Sequence, residues 1–211
     1  MDKLHCVGQT EGGRAETWAD FAPDCGALHV PLSLPEGKLK TVSADLAWAM
    51  EEDEALFING YQTWTHCPDQ GKWDNQRGLK RVPGFLVKKF SFDRYGDYHF
   101  VDYPEKKGES HGFSYCYFRK GAVYRLIASL NETPGYTIFS YSAKSAVLRV
   151  SRDCAGVRHP GGEFLALDLF FAQGTEQQVF NAWFQALGCR PRTKEKCMGY
   201  SSWYNRYQAI D

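Results

Sequence analysis

Net charge is the first thing this sequence lacks, since 25 Lys and Arg residues balance 25 Asp and Glu. Without a charge excess there is no field to gather a polyanion, which argues against nucleic acid and anionic membranes as partners. No apolar run approaches the roughly 20 residues that a membrane span requires. The opening Met1-Asp2-Lys3-Leu4-His5-Cys6 has no apolar h-region, so no signal peptide is expected and the chain reads as cytoplasmic. Seven cysteines are present, at 6, 25, 67, 116, 154, 189 and 197, but no two form a C-x-x-C pair. An odd, scattered set excludes a disulfide framework and a zinc knuckle and suits a reducing compartment.

Aromatic residues, by contrast, are plentiful at 15% of 211 residues, which favours a β-rich fold with stacking surfaces. The length suffices for one large domain or two small ones. About 25 Gly-rich, polar residues open the chain, with Trp18 and Phe21 as the only anchors, and read as an irregular lead-in or an edge strand. Period-2 alternation then marks half-buried strands: Val42, Ala44, Leu46 and Trp48; Phe90 and Phe92; Tyr98, Phe100 and Asp102. It continues through Phe113, Tyr115 and Tyr117, then Tyr124, Leu126 and Ala128, then Tyr136, Ile138 and Ser140, then Val147 and Arg149. Leu165, Leu167, Leu169 and Phe171 close the series, with Asp168 on their polar, solvated side. Gly-containing turns at roughly 10–14-residue spacing predict an antiparallel two-sheet sandwich rather than a parallel α/β sheet.

One helix is predicted over Glu176–Leu187. Thr175 and Gln178 are spaced as a capping box, Val179 and Trp183 start an apolar stripe, Gly188 suits a left-handed end, and Pro191 blocks continuation. Beyond a basic connector, Cys197–Tyr204 reads as a further strand with no partner in sequence. An unpaired edge of that kind recruits other chains, a homo-oligomer among them.

Two aromatic stretches stand apart. Ile58-Asn59-Gly60-Tyr61-Gln62-Thr63-Trp64-Thr65 follows an apolar strand, and its Asn-Gly predicts a tight hairpin turn. Gly199-Tyr200-Ser201-Ser202-Trp203-Tyr204 lies near the other end. Flat rings with one polar edge suit a sugar as well as a protein core. Carboxylates are scattered (Asp93, Asp97, Asp102, Asp153, Glu163, Asp168), and none forms a recognisable glycosidase pair by spacing. His99 and His111 with Glu163 would allow acid–base ring opening, and His66-Cys67 offers two metal-type ligands without a second pair. Lys80-Arg81 and Lys88-Lys89 read as solvated faces.

Together, Asn59-Gly60-Tyr61-Gln62-Thr63-Trp64 and Gly199-Tyr200-Ser201-Ser202-Trp203-Tyr204 resemble the α-galactosidases of glycoside hydrolase family 36. In that family an N-terminal β-supersandwich carries N-x-[WY]-Q-[ST]-W, and the first strand of a following (β/α)8 barrel carries G-[WY]-x-S-W-Y. The resemblance implies residues 1–190 as the β-supersandwich domain, helix 176–187 included, and 191–211 as connector and first barrel strand. It implies that Trp64 lines the rim of the galactose pocket and that Trp203 and Tyr204 form its floor and wall. Tyr61 joins this substrate-binding set, standing where some members have tryptophan. No cofactor and no metal are implied. The nucleophile and acid/base of that family are aspartates on later barrel strands, and no carboxylate here matches them. The expectation is therefore a domain that shapes the entrance for an α-galactoside of melibiose or raffinose type, shared with a barrel, and inactive by itself. Two alternatives accompany it: a free-standing galactoside-binding module, and a mutarotase-like sugar-binding protein.

Overall fold

The computed structural model describes residues 2–61, 67–76, 82–91, 106–154, 156–189, 196 and 198–199. Strand begins at once. β1 (Asp2–Thr10) and β2 (Gly13–Phe21) form an antiparallel hairpin with Asp2 opposite Phe21 and Thr10 opposite Gly13. Of the two readings of this stretch the irregular lead-in is thus corrected, while β2 is indeed an edge strand. The glycines and polar residues of the stretch conceal an alternation in which Leu4, Cys6 and Thr10 are buried. Gly8 takes the remaining inward position because a Cβ there would press into the methyl groups of Leu32 and Leu34. Of the two expected anchors, Phe21 is buried and Trp18 is 61% exposed.

The chain continues as β3 (Gly26–Leu34), β4 (Gly37–Ala47), β5 (Ala55–Ile58), β6 (Gln70–Gly71) and the short helix α1 (Gly84–Lys89). Then follow β7 (Glu109–Phe113), β8 (Tyr115–Lys120), β9 (Val123–Ser129), β10 (Tyr136–Ser142), β11 (Val147–Asp153), β12 (Arg158–His159), β13 (Gly162–Gly174) and α2 (Glu176–Ala186). The strands make two antiparallel sheets, ordered β2-β1-β4-β11-β10-β7 with β12 beside β4, and β3-β13-β9-β8-β5-β6. This is the two-sheet sandwich that the alternation predicts. Between the sheets lie Phe21, Trp48, Phe118, Phe139, Leu148 and Phe171 among others, each burial stabilising by roughly 1.5–3 kcal/mol. At one margin of this core, Arg125 covers the Trp48 and Phe118 rings and grips the buried Glu54.

Three alternations resolve differently. The run Phe113-Tyr115-Tyr117 is two strands, because Ser114 has φ +64° and turns the chain from the first sheet into the second. Its N–H donates to the Thr137 carbonyl and its own carbonyl accepts from Ser129 N–H, so the crossing leaves no orphan backbone group. In β10 the buried set is Thr137, Phe139 and Tyr141, one step out of phase with Tyr136, Ile138 and Ser140. Phe90 ends α1 and is exposed rather than alternating in a strand, while Phe92 and Tyr98–Asp102 lie outside the described residues.

β13 is buried on both faces because α2 covers it from outside. Asp168 is therefore buried, not solvated, and its Oδ1 lies 2.7 Å from His29 Nδ1, close enough for an ion pair although misaligned for a hydrogen bond. The register slips between Leu165 and Leu167. At that bulge the Ala166 carbonyl accepts from Arg152 Nε at 2.9 Å, and the same guanidinium donates to the Asn131 and Gly135 carbonyls.

α2 forms where the capping signals place it. Gln178 Oε1 accepts from the Thr175 N–H at 2.9 Å, and Gly188 is left-handed with φ +67°. Gly188 N–H bonds the Gln185 carbonyl and Cys189 N–H the Phe184 carbonyl, a paired closure that satisfies the helix's last acceptors. Val179 and Trp183 are buried against Leu126, Ala128 and Phe170, and Trp183 Nε1 donates to the Ser129 carbonyl at 3.0 Å. No helix among the described residues is long and apolar enough to cross a membrane.

Candidate functional site

The first aromatic motif leaves β5 at a seam between the two sheets. β5 itself pairs with β8 in the second sheet. Its next residue, Asn59, bonds to both: its N–H donates to Tyr115 of β8, and its carbonyl accepts from Phe113 of β7 at 2.8 Å. The Asn59 side-chain amide also donates to the Phe113 carbonyl at 3.3 Å. So Asn59-Gly60 does not close a two-residue hairpin, and β5 finds its sequential partner only at β6. The amide side chain is used instead to bind one sheet to the other, a role that turn propensity does not encode. Gly60 N–H donates to the Cys67 thiol at 3.1 Å, which brings Cys67 to the seam.

Tyr61 stands next, 38% exposed, above the outer face of the first sheet. Its ring packs edge-on against Phe113 and Tyr136, with centroids 5.4 and 5.3 Å away, and its hydroxyl lies 2.9 Å from that of Tyr136. His111, two residues before Phe113 on the same strand face, meets that ring at 90° and places Nδ1 3.4 Å from Ser140 Oγ. Gln76 pairs with the free edge of β7 through its side chain, donating to the His111 carbonyl at 2.6 Å and accepting from its N–H at 2.7 Å. Sequence reading missed Phe113, Tyr136 and Gln76 as companions of the motif. Strand register, Ile138 opposite Phe113 and Ser140 opposite His111, and the Gln76 side-chain clasp bring them to it.

From this aromatic patch a row of six side chains crosses the first sheet in direct register: His111, Ser140, Arg149, Asp45, His5 and Trp18. Arg149 is bidentate on Asp45, at 2.6 and 2.8 Å. That bond, more than the opposing cost of partial burial, holds the Asp45 carboxyl below the usual aspartate range. His5 stacks on Trp18 with ring centres 4.2 Å apart and reaches Glu16 at 3.2 Å. The row combines aromatic faces with fixed donors and acceptors.

Of the four residues expected to bind substrate, Tyr61 is placed as above, and Trp64, Trp203 and Tyr204 lie outside the described residues. His66, His99, Asp93, Asp97 and Asp102 do so too. His111 and Glu163 fall on different sheets, Glu163 being exposed opposite Ser33 of β3. Among the described residues no group of three or more His, Cys, Asp or Glu is arranged to hold a metal. Lys88 and Lys89 are exposed in the last turn of α1, where their charge complements the helix dipole. Comparison with the models of known protein families gives no match, and comparison with curated proteins gives none either.

Proposed function

We propose that this chain is the N-terminal β-supersandwich domain of an enzyme of the family 36 α-galactosidase type. On this reading it shapes the sugar entrance of a catalytic barrel rather than performing chemistry. The observation that carries the proposal is the seam at Asn59. An antiparallel sandwich holds Asn59, the start of the motif, at a fixed point between its sheets, with Tyr61 half-exposed beside it. A ligand-facing ring needs such support, since a loosely held one loses much of its stacking free energy to ordering. α2, which packs on the outer face of the second sheet and ends at a firm stop, supports the same layout, in which a helix precedes the barrel.

The role is one of recognition. Retaining hydrolysis needs two carboxyl groups about 5–5.5 Å apart across the scissile bond. In the family that the motifs resemble, both come from the barrel. Trp64, with Tyr61 beside it, would then offer an apolar face to the C–H side of a galactose ring, with Trp203 and Tyr204 opposite.

Combining this chain with a family 36 barrel supplied in trans, and assaying an aryl α-galactoside, tests the proposal. Wild-type chain should restore hydrolysis, and Trp64→Ala should lower kcat/KM by about tenfold or more, the loss of one good stacking contact. Restoration that is indifferent to Trp64→Ala would sink the rim role.

A further inference from the structure

A second aromatic surface lies on the opposite side of the molecule from the Tyr61 patch. On the outer face of the second sheet the rings of Phe57, Tyr117 and Tyr124 run in sequence, with centres 4.9 Å apart at each step. Phe180 of α2 meets Tyr117 edge-on at 6.3 Å. Where this belt reaches the start of α2 it opens into a groove of about 720 Å³, between the β8–β9 turn and the first turn of the helix. Gly121 and Ala122 form one bank, Glu176 and Gln177 the other, and Tyr124 and Phe180 lie between them.

We propose that this groove binds a neutral oligosaccharide, at a site separate from the galactose entrance. The lining chooses the ligand. Two aromatic side chains offer surfaces to C–H groups, and the polar side chains beside them are the Glu176 carboxylate, which accepts, and the Thr175 hydroxyl and Gln177 amide, which donate as well as accept. Tyr124 donates its hydroxyl proton to Glu176 Oε2 across 3.4 Å, a long bond that leaves carboxylate lone pairs unused. Asp69, at the far end of the belt, accepts from Tyr117 at 3.2 Å and from Arg119 at 2.5 Å. A ligand must therefore bring donors as well as acceptors along with apolar faces. Saccharide hydroxyls do so at every ring, whereas a proline-rich peptide, which also favours aromatic grooves, has few N–H groups to give. Charge points the same way. Arg119 neutralises Asp69, and the first-turn position of Glu176 sets its charge against the helix dipole, so neither a cation nor an anion is strongly favoured. Burial raises the Tyr124 phenol and the Glu176 charge adds to the rise, keeping the hydroxyl a donor at neutral pH. None of residues 59–64 or 203–204 takes part, so the site does not rest on the galactosidase reading.

Amide ¹H–¹⁵N spectra of the full chain test the proposal, titrated to about 20 mM with melibiose, raffinose, cellohexaose, xylohexaose and a decaproline peptide, a range that detects millimolar affinity. At least one saccharide should move the Gly121, Ala122, Glu176 and Gln177 resonances in a saturable way. Ala122→Trp fills the groove from an exposed turn and should abolish those shifts. Glu176→Gln should weaken binding roughly threefold to tenfold, the loss of a charge-assisted acceptor in an open site. If no saccharide moves these amides, if only the peptide does, or if the shifts survive Ala122→Trp with unchanged affinity, the proposal is overturned. Shifts confined to Asn59–Tyr61 and the rim would overturn it as well, while leaving the galactosidase reading intact.

Discussion

The hydroxyl groups of Tyr61 and Tyr136 lie 2.9 Å apart, with their rings crossed at 89°. One phenol comes from the motif after β5 and the other from the first residue of β10, so the bond ties the motif to the opposite sheet from the strand that carries it. Removing either hydroxyl should cost about 0.5–1.5 kcal/mol. Urea unfolding of Tyr61→Phe, Tyr136→Phe and the double variant forms a cycle, whose coupling should be about 0.5 kcal/mol or more. Strictly additive losses would mean that the bond is not made in solution.

Glu54 is the more consequential partner for stability. Its carboxylate accepts two bonds of 2.7 Å from Arg125 Nη2 and also holds the Glu51 N–H, while Arg125 lies 5.0 Å above the Trp48 ring. Arg125→Leu strands a buried negative charge. It should lower unfolding stability by about 2–3 kcal/mol, less than for a fully enclosed pair because Arg125 is partly exposed. Glu54→Gln keeps the shape and an acceptor and should cost less than half as much. Equal losses for the two variants in urea titration would contradict a charge-based role.

Much of the sandwich was legible because period-2 alternation depends only on which residues face the core. Val42, Ala44, Leu46 and Trp48 are buried as that pattern requires. The helix ends were legible for a similar reason, since Thr175, Gln178 and Gly188 act within one turn. What failed was non-local. Nothing in Phe113-Ser114-Tyr115 announces that a single left-handed serine divides the run between two sheets. Asp168 looks solvated until His29 is brought against it and α2 covers the neighbouring Phe170 and Ala172 of β13. In the candidate site, Tyr61 could be named from its motif, but Phe113, Tyr136 and Gln76 reach it only through strand register and one side-chain clasp.

Thiol chemistry should divide along the same lines of burial. Cys25 and Cys189 are exposed, whereas Cys6, Cys116 and Cys154 are buried. Burial pushes the Cys6 thiol up to about 12 and the Cys116 thiol up as well, so neither supplies thiolate near neutral pH. Iodoacetamide at pH 8 followed by peptide mass mapping should modify Cys25 and Cys189 within minutes and leave Cys6 and Cys116 unmodified until denaturant is added. Early labelling of Cys6 would place the β1–β2 hairpin outside the sandwich.

Acid should weaken the row across the first sheet. The Asp45 carboxyl is held low in the folded chain by Arg149, so the unfolded chain binds that proton first as pH falls. The stabilisation is complete above the ordinary aspartate value of about 3.9 and is lost below it, as the folded carboxyl is protonated in turn. Both side chains are about half exposed, which limits the effect to about 1 kcal/mol or less. Stability measured from pH 7 to 3 should fall less steeply below pH 4 for Asp45→Asn than for the wild type. Identical slopes would assign the pair no role in acid sensitivity.

The seam itself can be tested at Gly112 of β7, opposite Phe139 of β10. A Cβ on this residue would overlap the Ile58 side chain and the Asn59 carbonyl oxygen, so β5 approaches β7 only because the position has no side chain. Gly112→Ala must push the start of the motif away from the sheet, at a cost of about 3 kcal/mol or more. Trimming the neighbour with Ile58→Ala should not recover the loss, since the Asn59 carbonyl remains in the way and a cavity is added. Gly84→Ala, where a Cβ meets nothing within 4 Å, is the control and should change stability by less than about 0.5 kcal/mol. If Gly112→Ala behaved like that control in urea unfolding, Asn59 would not be held between the sheets, and the rigid base beneath Tyr61 would be lost with it.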